Sequence, residues 1–274
     1  MVLGALLMIA SEFAFASMGA TIKLLSQTLS SETIVFLRNG IVILILLPWM
    51  LRDGIQSFNT TRLRFHALRA LAGLGAMYCF FYSLGVLPLA EASLLKMTTP
   101  FFIPIVGALW LGESVPRMVK VAILIGFVGV VIILNPSMNS LSWGALIGLT
   151  GGALAAVAKT SIRCMSDTEP STRIVFYFAL IGAIVSSVPM FWAWVMPSAS
   201  AWGLVLLMSG FATLGQLCMT EAYQLAPAAQ MGIFSYTAVL FSTLYGWLFW
   251  HEVVGYSFFV GAGLVFIAAV LRKS

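Results

Sequence analysis

LPLAEASLLKMTTPFFIPIVGALWLGE at residues 87–113 and APAAQMGIFSYTAVLFSTLYGWLFWHE at residues 226–252 are one pattern written twice. At a shift of 139, Pro88, Ala90, Thr98, Gly107 and Glu113 fall on Pro227, Ala229, Thr237, Gly246 and Glu252. Working outward, the match continues at a shift of 140. Gly4-Ala5-Leu6 meets Gly144-Ala145-Leu146, Ser26 and Thr28 meet Ser166 and Thr168, and Ser31, Ile34, Val35 and Phe36 meet Ser171, Ile174, Val175 and Phe176. The chain therefore reads as two repeats, residues 1–134 and 141–274, each with five long apolar segments. Five is odd, so two copies threaded in series through a bilayer run in opposite directions. Inverted repeats of this kind build secondary transporters around a site between the halves. A helical membrane scaffold with an old duplication is the plain alternative.

Lipid is the solvent this composition requires. The chain is 61% hydrophobic and 8% charged, with a mean hydropathy of +1.04, whereas globular domains carry roughly a quarter charged residues. A spanning helix needs roughly 17–25 residues. Apolar runs between breakers give ten segments, near 2–25, 31–51, 66–86, 90–111, 118–134, 143–165, 172–195, 201–224, 228–249 and 254–271. The fold class expected is all-α integral membrane, ten transmembrane helices as a 5+5 inverted repeat around a central cavity.

The net charge of +5 does not signal nucleic acid, because Lys and Arg form no stripe on any one element. They gather at segment ends. With the N-terminus inside, Arg52, Arg62, Arg64, Arg69, Arg117, Lys120, Arg163, Arg173, Arg272 and Lys273 fall in inside connections, and Lys23 alone falls outside. That asymmetry places both termini in the cytoplasm of a cell whose inner membrane the chain crosses repeatedly. The first segment lacks a basic leader and carries Glu12 and Lys23, so it is not read as a signal peptide. Cys79, Cys164 and Cys218 lie in apolar runs without a pairing pattern, and His66 and His251 sit singly at segment ends. No HExxH, CxxC, P-loop or GxSxG motif occurs. Hence no metal, cofactor or catalytic group is expected.

The paired stretches Leu87-Pro88-Leu89-Ala90-Glu91-Ala92 through Leu111-Gly112-Glu113, and Leu225-Ala226-Pro227-Ala228-Ala229-Gln230 through Trp250-His251-Glu252, resemble the drug/metabolite transporter superfamily, in particular its ten-helix EamA-type members. The resemblance covers essentially the whole chain, with His251 where a glycine is usual. It implies a cavity lined by segments 1, 3, 4, 6, 8 and 9, with segments 5 and 10 peripheral. Family members move amino acids, other small metabolites, nucleotide sugars or cationic drugs. Glu113 and Glu252 would pin loops.

Charges inside the bilayer carry the functional reading, since each costs on the order of 3 kcal/mol at a helix centre and must face protein or water. Glu12, near the middle of segment 1, shares a face with Ala5, Ala16, Gly19 and Lys23. It is read as a ligand for a substrate ammonium or as the carrier of a coupling proton, the rival role being a structural partner of Lys96 or Lys159. Lys96 precedes Pro100 and Pro104, which predict a kinked segment 4 beside a cavity. It would receive a carboxylate or phosphate, or pair with Glu12. Lys159 follows the small-residue face of Gly148, Gly152 and Ala156. It is a further binding residue or one that snorkels to the inner surface. Arg38 would snorkel outward or pair with Glu32 or Glu91. Glu221, with Pro88 and Pro227, is a gate residue, its partner Lys159 or Arg163. Among neutral residues, Tyr78, Gln216 and Thr237 are read as deep substrate contacts. Tyr82 and Tyr223 are read as contacts or interfacial belt residues.

The function expected is secondary transport of a small organic metabolite by alternating access. The presence of one buried acid and buried bases favours an amino acid or an amino-acid-derived metabolite, while the aromatics also admit a flavin or nucleoside. The alternative class, a membrane enzyme acting on a lipid or isoprenoid, would need paired acids or a histidine cluster. Asp53, Asp167 and the two histidines supply neither. The partners implied are the bilayer, a small substrate and protons as the coupling ion, with monomer and homodimer both open.

Overall fold

The computed structural model describes residues 2–86, 95–112, 114–134, 143–251 and 255–271. Pro88, Glu113 and Glu252 lie outside the described residues, so the gate and loop roles expected of them have no geometry. Among the described residues the structure is all-helical. Its main elements are α1 Val2–Leu25, α2 Ser31–Arg52, α3 Leu63–Val86, α4 Thr99–Leu111 and α5 Arg117–Leu134 in the first half. The second half contains α6 Trp143–Arg163, α7 Ser171–Ser187, α8 Ala199–Leu225, α9 Ala228–Trp250 and α10 Tyr256–Leu271. Helices α1, α2, α6, α8 and α9 are long and apolar enough to cross a bilayer, and α4, α7 and α10 are shorter apolar helices. Leucine, phenylalanine, valine and tryptophan side chains stand exposed over the outer surface. Soluble proteins do not expose apolar surface on this scale, so lipid covers it.

Packing repeats between the halves. Helix α1 lies on α8 as α6 lies on α3, α1 meets α9 as α6 meets α4, and α2 meets α8 as α7 meets α3. The remaining major contacts, α2 with α7 and α5 with α10, pair an element with its own counterpart. The α5–α10 contact stands to one side, as the resemblance implied. Its backbones touch through glycine: a Cβ on Gly129 would stand 2.7 Å from the Gly261 carbonyl oxygen. Close approach through small residues is the main source of helix association in lipid. Gly129→Val is expected to cost about 1–3 kcal/mol by overpacking. Gly263→Ala, with open space around it, should leave the melting temperature in detergent unchanged.

Two helices are interrupted at related places. Helix α4 begins at Thr99, after a turn at Met97-Thr98, and α9 passes through a 3-10 stretch at Ile233–Tyr236. The proline kink expected within segment 4 thus falls one turn earlier. Pro100 cannot donate to the carbonyl four residues back, that of Lys96. Thr99 Oγ1 donates to the freed Lys96 carbonyl at 2.8 Å. Thr98 Oγ1 donates to Leu95 O at 2.5 Å, and its counterpart Thr237 Oγ1 donates to Phe234 O at 2.7 Å. The same hydroxyl-to-carbonyl bond therefore stabilises both breaks.

Candidate functional site

Five helices converge on Glu12, and the residues at the two breaks face it. Ser11 Oγ donates to the Gly215 carbonyl at 2.8 Å, which holds α1 against α8 and fixes the height of Glu12. From α6, Lys159 faces the Glu12 carboxylate, as does Lys96 from the turn before α4. Lys159 Nζ donates to Ser235 Oγ at 3.2 Å, and Ser235, in the 3-10 stretch of α9, also lies beside Glu12. Lys96 Nζ stands 5.0 Å from the centre of the Phe80 ring on α3. Tyr223 of α8 is fully buried beside Ser235 and Glu12, and its hydroxyl lacks a well-formed hydrogen bond. Glu12 and Ser235 are buried. Lys96 itself is exposed, with its ammonium held over the Phe80 ring.

The structure brings together Glu12, Lys96, Lys159 and Tyr223, four of the residues singled out in the sequence. Lys159 does not snorkel; it turns inward to Glu12 and Ser235. Gln216 lies two turns along α8 from Tyr223 and accepts from Arg69 Nη2 at 2.7 Å. Thr237 sits at the break, bonded to the backbone. Tyr78 is only partly buried and lies near Glu32, and Tyr82 is half-exposed on the outer surface; neither joins the cluster around Glu12. Arg38 neither snorkels nor pairs with Glu32. It is buried, donating to Asn39 Oδ1 at 3.1 Å and lying over Phe178. Arg69, counted by sequence with the inside connections although segment 66–86 contains it, is buried inside α3. Ser235 was not anticipated. The repeat itself reveals it, since the shift of 139 that aligns Thr98 with Thr237 places Ser235 on Lys96.

At the basic end, the α2–α3 and α6–α7 connections latch onto each other. Thr60 Oγ1 donates to Glu169 Oε1 at 2.6 Å, Arg173 Nη1 donates to Glu169 Oε2 at 2.9 Å, and His66 Nε2 lies 3.6 Å from the same carboxylate. Arg173 Nε donates to the Ser57 carbonyl and Tyr177 to the Phe58 carbonyl. Ser171 Oγ donates to Glu221, and Arg163 Nη1 donates to Gln224 O at 2.6 Å. Glu221 is thus tied to the start of α7. On the other side of this end, a cleft of about 260 Å³ separates Ser114, Val115 and Pro116 from Pro227, Ala229 and Gln230. Burial pushes the Glu169 carboxyl up, but hydrogen bonds from Thr60 and Arg173 and the charges of Arg173 and His66 outweigh it. The group is held below the usual carboxylate range. A carboxyl that is more acidic folded than unfolded contributes fully above the unfolded value near 4.5 and loses its contribution as pH falls through the lower folded value. Thermal stability should therefore drop as pH falls below about 4.5. Glu169→Gln should flatten that drop and cost about 2 kcal/mol at neutral pH.

Comparison with known proteins agrees with this architecture. The model of the EamA-like transporter family matches residues 2–135 and 142–272. The pseudopaline exporter CntI of Pseudomonas aeruginosa is 34% identical over 272 residues, 97% of this chain and 94% of that protein. A riboflavin transporter of Rhizobium johnstonii is 27% identical, covering 98% and 90%. An S-adenosylmethionine uptake transporter of Rickettsia bellii is 23% identical, covering 90% and 85%. A solved structure superposes with a TM-score of 0.84 at 18% identity over 98% of each chain. The chain belongs to the EamA-like transporter family. It is a multi-pass membrane protein and a transporter of small molecules, and the enzyme alternative is set aside.

Proposed function

We propose that the chain moves an amino-acid-derived metabolite across the cytoplasmic membrane by alternating access, the two repeats rocking about the Glu12 site. One observation carries this reading. Buried Glu12 feels the charges of both Lys96 and Lys159, beside the paired breaks of α4 and α9. Discontinuous helices at corresponding places in two repeats are where transporter folds present backbone and side chains to substrate. One acid and two bases suit a zwitterion: a substrate ammonium on Glu12, a carboxylate on Lys96. The 34% identity to an exporter puts export first among the directions to test, with Glu12 as the residue that would carry a coupling proton.

A thermal-shift screen of purified protein against amino-acid-derived metabolites, followed by counterflow in liposomes, tests the reading. A hit lost in Lys96→Met supports it. Binding of riboflavin alone, untouched by that substitution, overturns the substrate class. Orientation follows from the basic end being cytoplasmic. In a background with Cys79, Cys164 and Cys218 replaced, a cysteine at 62 should label only from the cytoplasm and one at 199 only from outside. Labelling of both from one side would remove the ten-span topology with its cytoplasmic termini.

A further inference from the structure

A second group of charges lies off the Glu12 cluster. Arg38 of α2 and Arg69 of α3 are 7% and 2% exposed. Their guanidinium carbons lie 5.6 and 4.2 Å from the centre of one aromatic ring, that of Phe178 on α7. Helix packing holds the ring there: a Cβ on Gly73 would stand 2.9 Å from Phe178 Cε2. The repeat places Phe178 on Arg38 at the shift of 140, so the group sits where α2 meets its own counterpart, and only the first half contributes charge.

The hydrogen-bond partners of these arginines are neutral. Arg38 donates to Asn39 and Arg69 to Gln216. Both Nε groups and Asn39 Nδ2 are buried without a partner. Among the described residues no carboxylate faces either guanidinium, and Arg69 feels the charge of Arg38. Leaving two like charges buried and short of acceptors is costly. Guanidinium is also the group best shaped to hold a carboxylate through two parallel hydrogen bonds. Counting both groups, Glu12 stands against Lys96, Lys159, Arg38 and Arg69, an excess of three positive charges among these residues.

Helix α8 joins the two groups. Gln216 at the arginines and Tyr223 at Glu12 are seven residues apart, roughly 10 Å along the axis. Between them Thr220 is fully buried with its hydroxyl unpartnered. The stripe Gln216, Thr220 and Tyr223 therefore offers hydrogen-bonding groups along one helix face from one charged group to the other.

We propose that Arg38 and Arg69, with Asn39 and Gln216, form a second anion subsite, so that the substrate carries two carboxylates, one received at Lys96 and Lys159 and the other roughly 10 Å away at the arginines. This rests on the reading of Glu12 and Lys96 as the substrate site and adds the class of molecule: an amino acid bearing a remote second acid.

A matched pair of probes tests it. 2-Aminosuberate and 2-aminooctanoate share a chain length and an amino-acid head, and only the first has a distal carboxylate. Binding to the full chain in detergent, read by thermal shift and calorimetry, should favour aminosuberate at least tenfold. Arg38→Gln and Arg69→Gln should each collapse that preference towards one while retaining aminooctanoate binding. Lys96→Met should weaken both probes together. Arg69→Lys should recover part of the preference, and the ligand-free melting temperatures of the arginine variants should match or exceed the parent because like-charge repulsion is relieved. A parent that binds both probes equally, or no aminosuberate at all, overturns the subsite. So does a preference that survives both arginine substitutions. The substrate site stands or falls separately, on whether any metabolite binds in a manner that depends on Lys96.

Discussion

Lys96→Met should leave a folded protein that no longer binds or transports its substrate, whereas Glu12→Gln should fold poorly. The asymmetry follows from the arrangement of one acid facing two bases. Removing Lys96 leaves Glu12 compensated by Lys159, with Ser235 still in place. Removing the Glu12 charge leaves two ammonium groups facing each other, and stripping one side of a buried ion pair costs roughly 3–5 kcal/mol. Combining the substitutions should recover part of that stability without recovering transport, because Lys159 remains uncompensated and the carboxylate ligand is gone. Melting temperature in detergent measures the first quantity and substrate affinity the second. A Lys96→Met protein with normal affinity would remove the lysine from the site. A Glu12→Gln protein as stable as the parent would show that the carboxyl is already neutral there, which is the state a proton carrier visits; loss of pH-dependent transport in that variant would then assign it the proton.

Much of this site could be read from sequence because charge is so rare in the apolar segments. Glu12 and Lys96 announce themselves by their cost in lipid, and the prolines at 100 and 104 mark the helix that must open beside them. Depth was harder to read. Lys159 lies one turn from Arg163, and a long lysine near a helix end can reach the surface; only the packing of α6 on α3 and α4 turns it inward. Arg69 follows Arg62 and Arg64 in a basic run and is tallied with them among the inside charges, yet it lies within α3 and is buried in the core. Serine gives no signal in an apolar run, since its hydroxyl commonly bonds its own helix, as Ser17 and Ser209 do here. Ser235 could be found only by carrying the repeat through to Lys96.

Gly152→Leu should abolish binding without touching any charged residue. A Cβ at Gly152 would stand 2.5 Å from Thr98 Oγ1 and 3.3 Å from the Leu95 carbonyl, the two atoms whose bond stabilises the break before α4. Gly148, one turn away, presses on Leu95 and Ser83 in the same way. Helix α6 therefore acts as a flat wall against the turn that carries Lys96, and any side chain at 152 pushes that turn outward. Overpacking of this kind costs about 1–3 kcal/mol, enough to lower the melting temperature but not to unfold the chain. A functional group displaced by about 1 Å can lose two orders of magnitude in effect. Affinity should accordingly fall at least tenfold in Gly152→Ala and beyond detection in Gly152→Leu. Thr98→Ala removes the atom nearest the clash while losing one hydrogen bond, about 1 kcal/mol. Joined to Gly152→Ala, it should restore part of the affinity, so that the double variant binds better than Gly152→Ala alone. Additive losses would mean that the wall and the turn act independently, and a Gly152→Leu protein that binds normally would show that the break before α4 does not position Lys96.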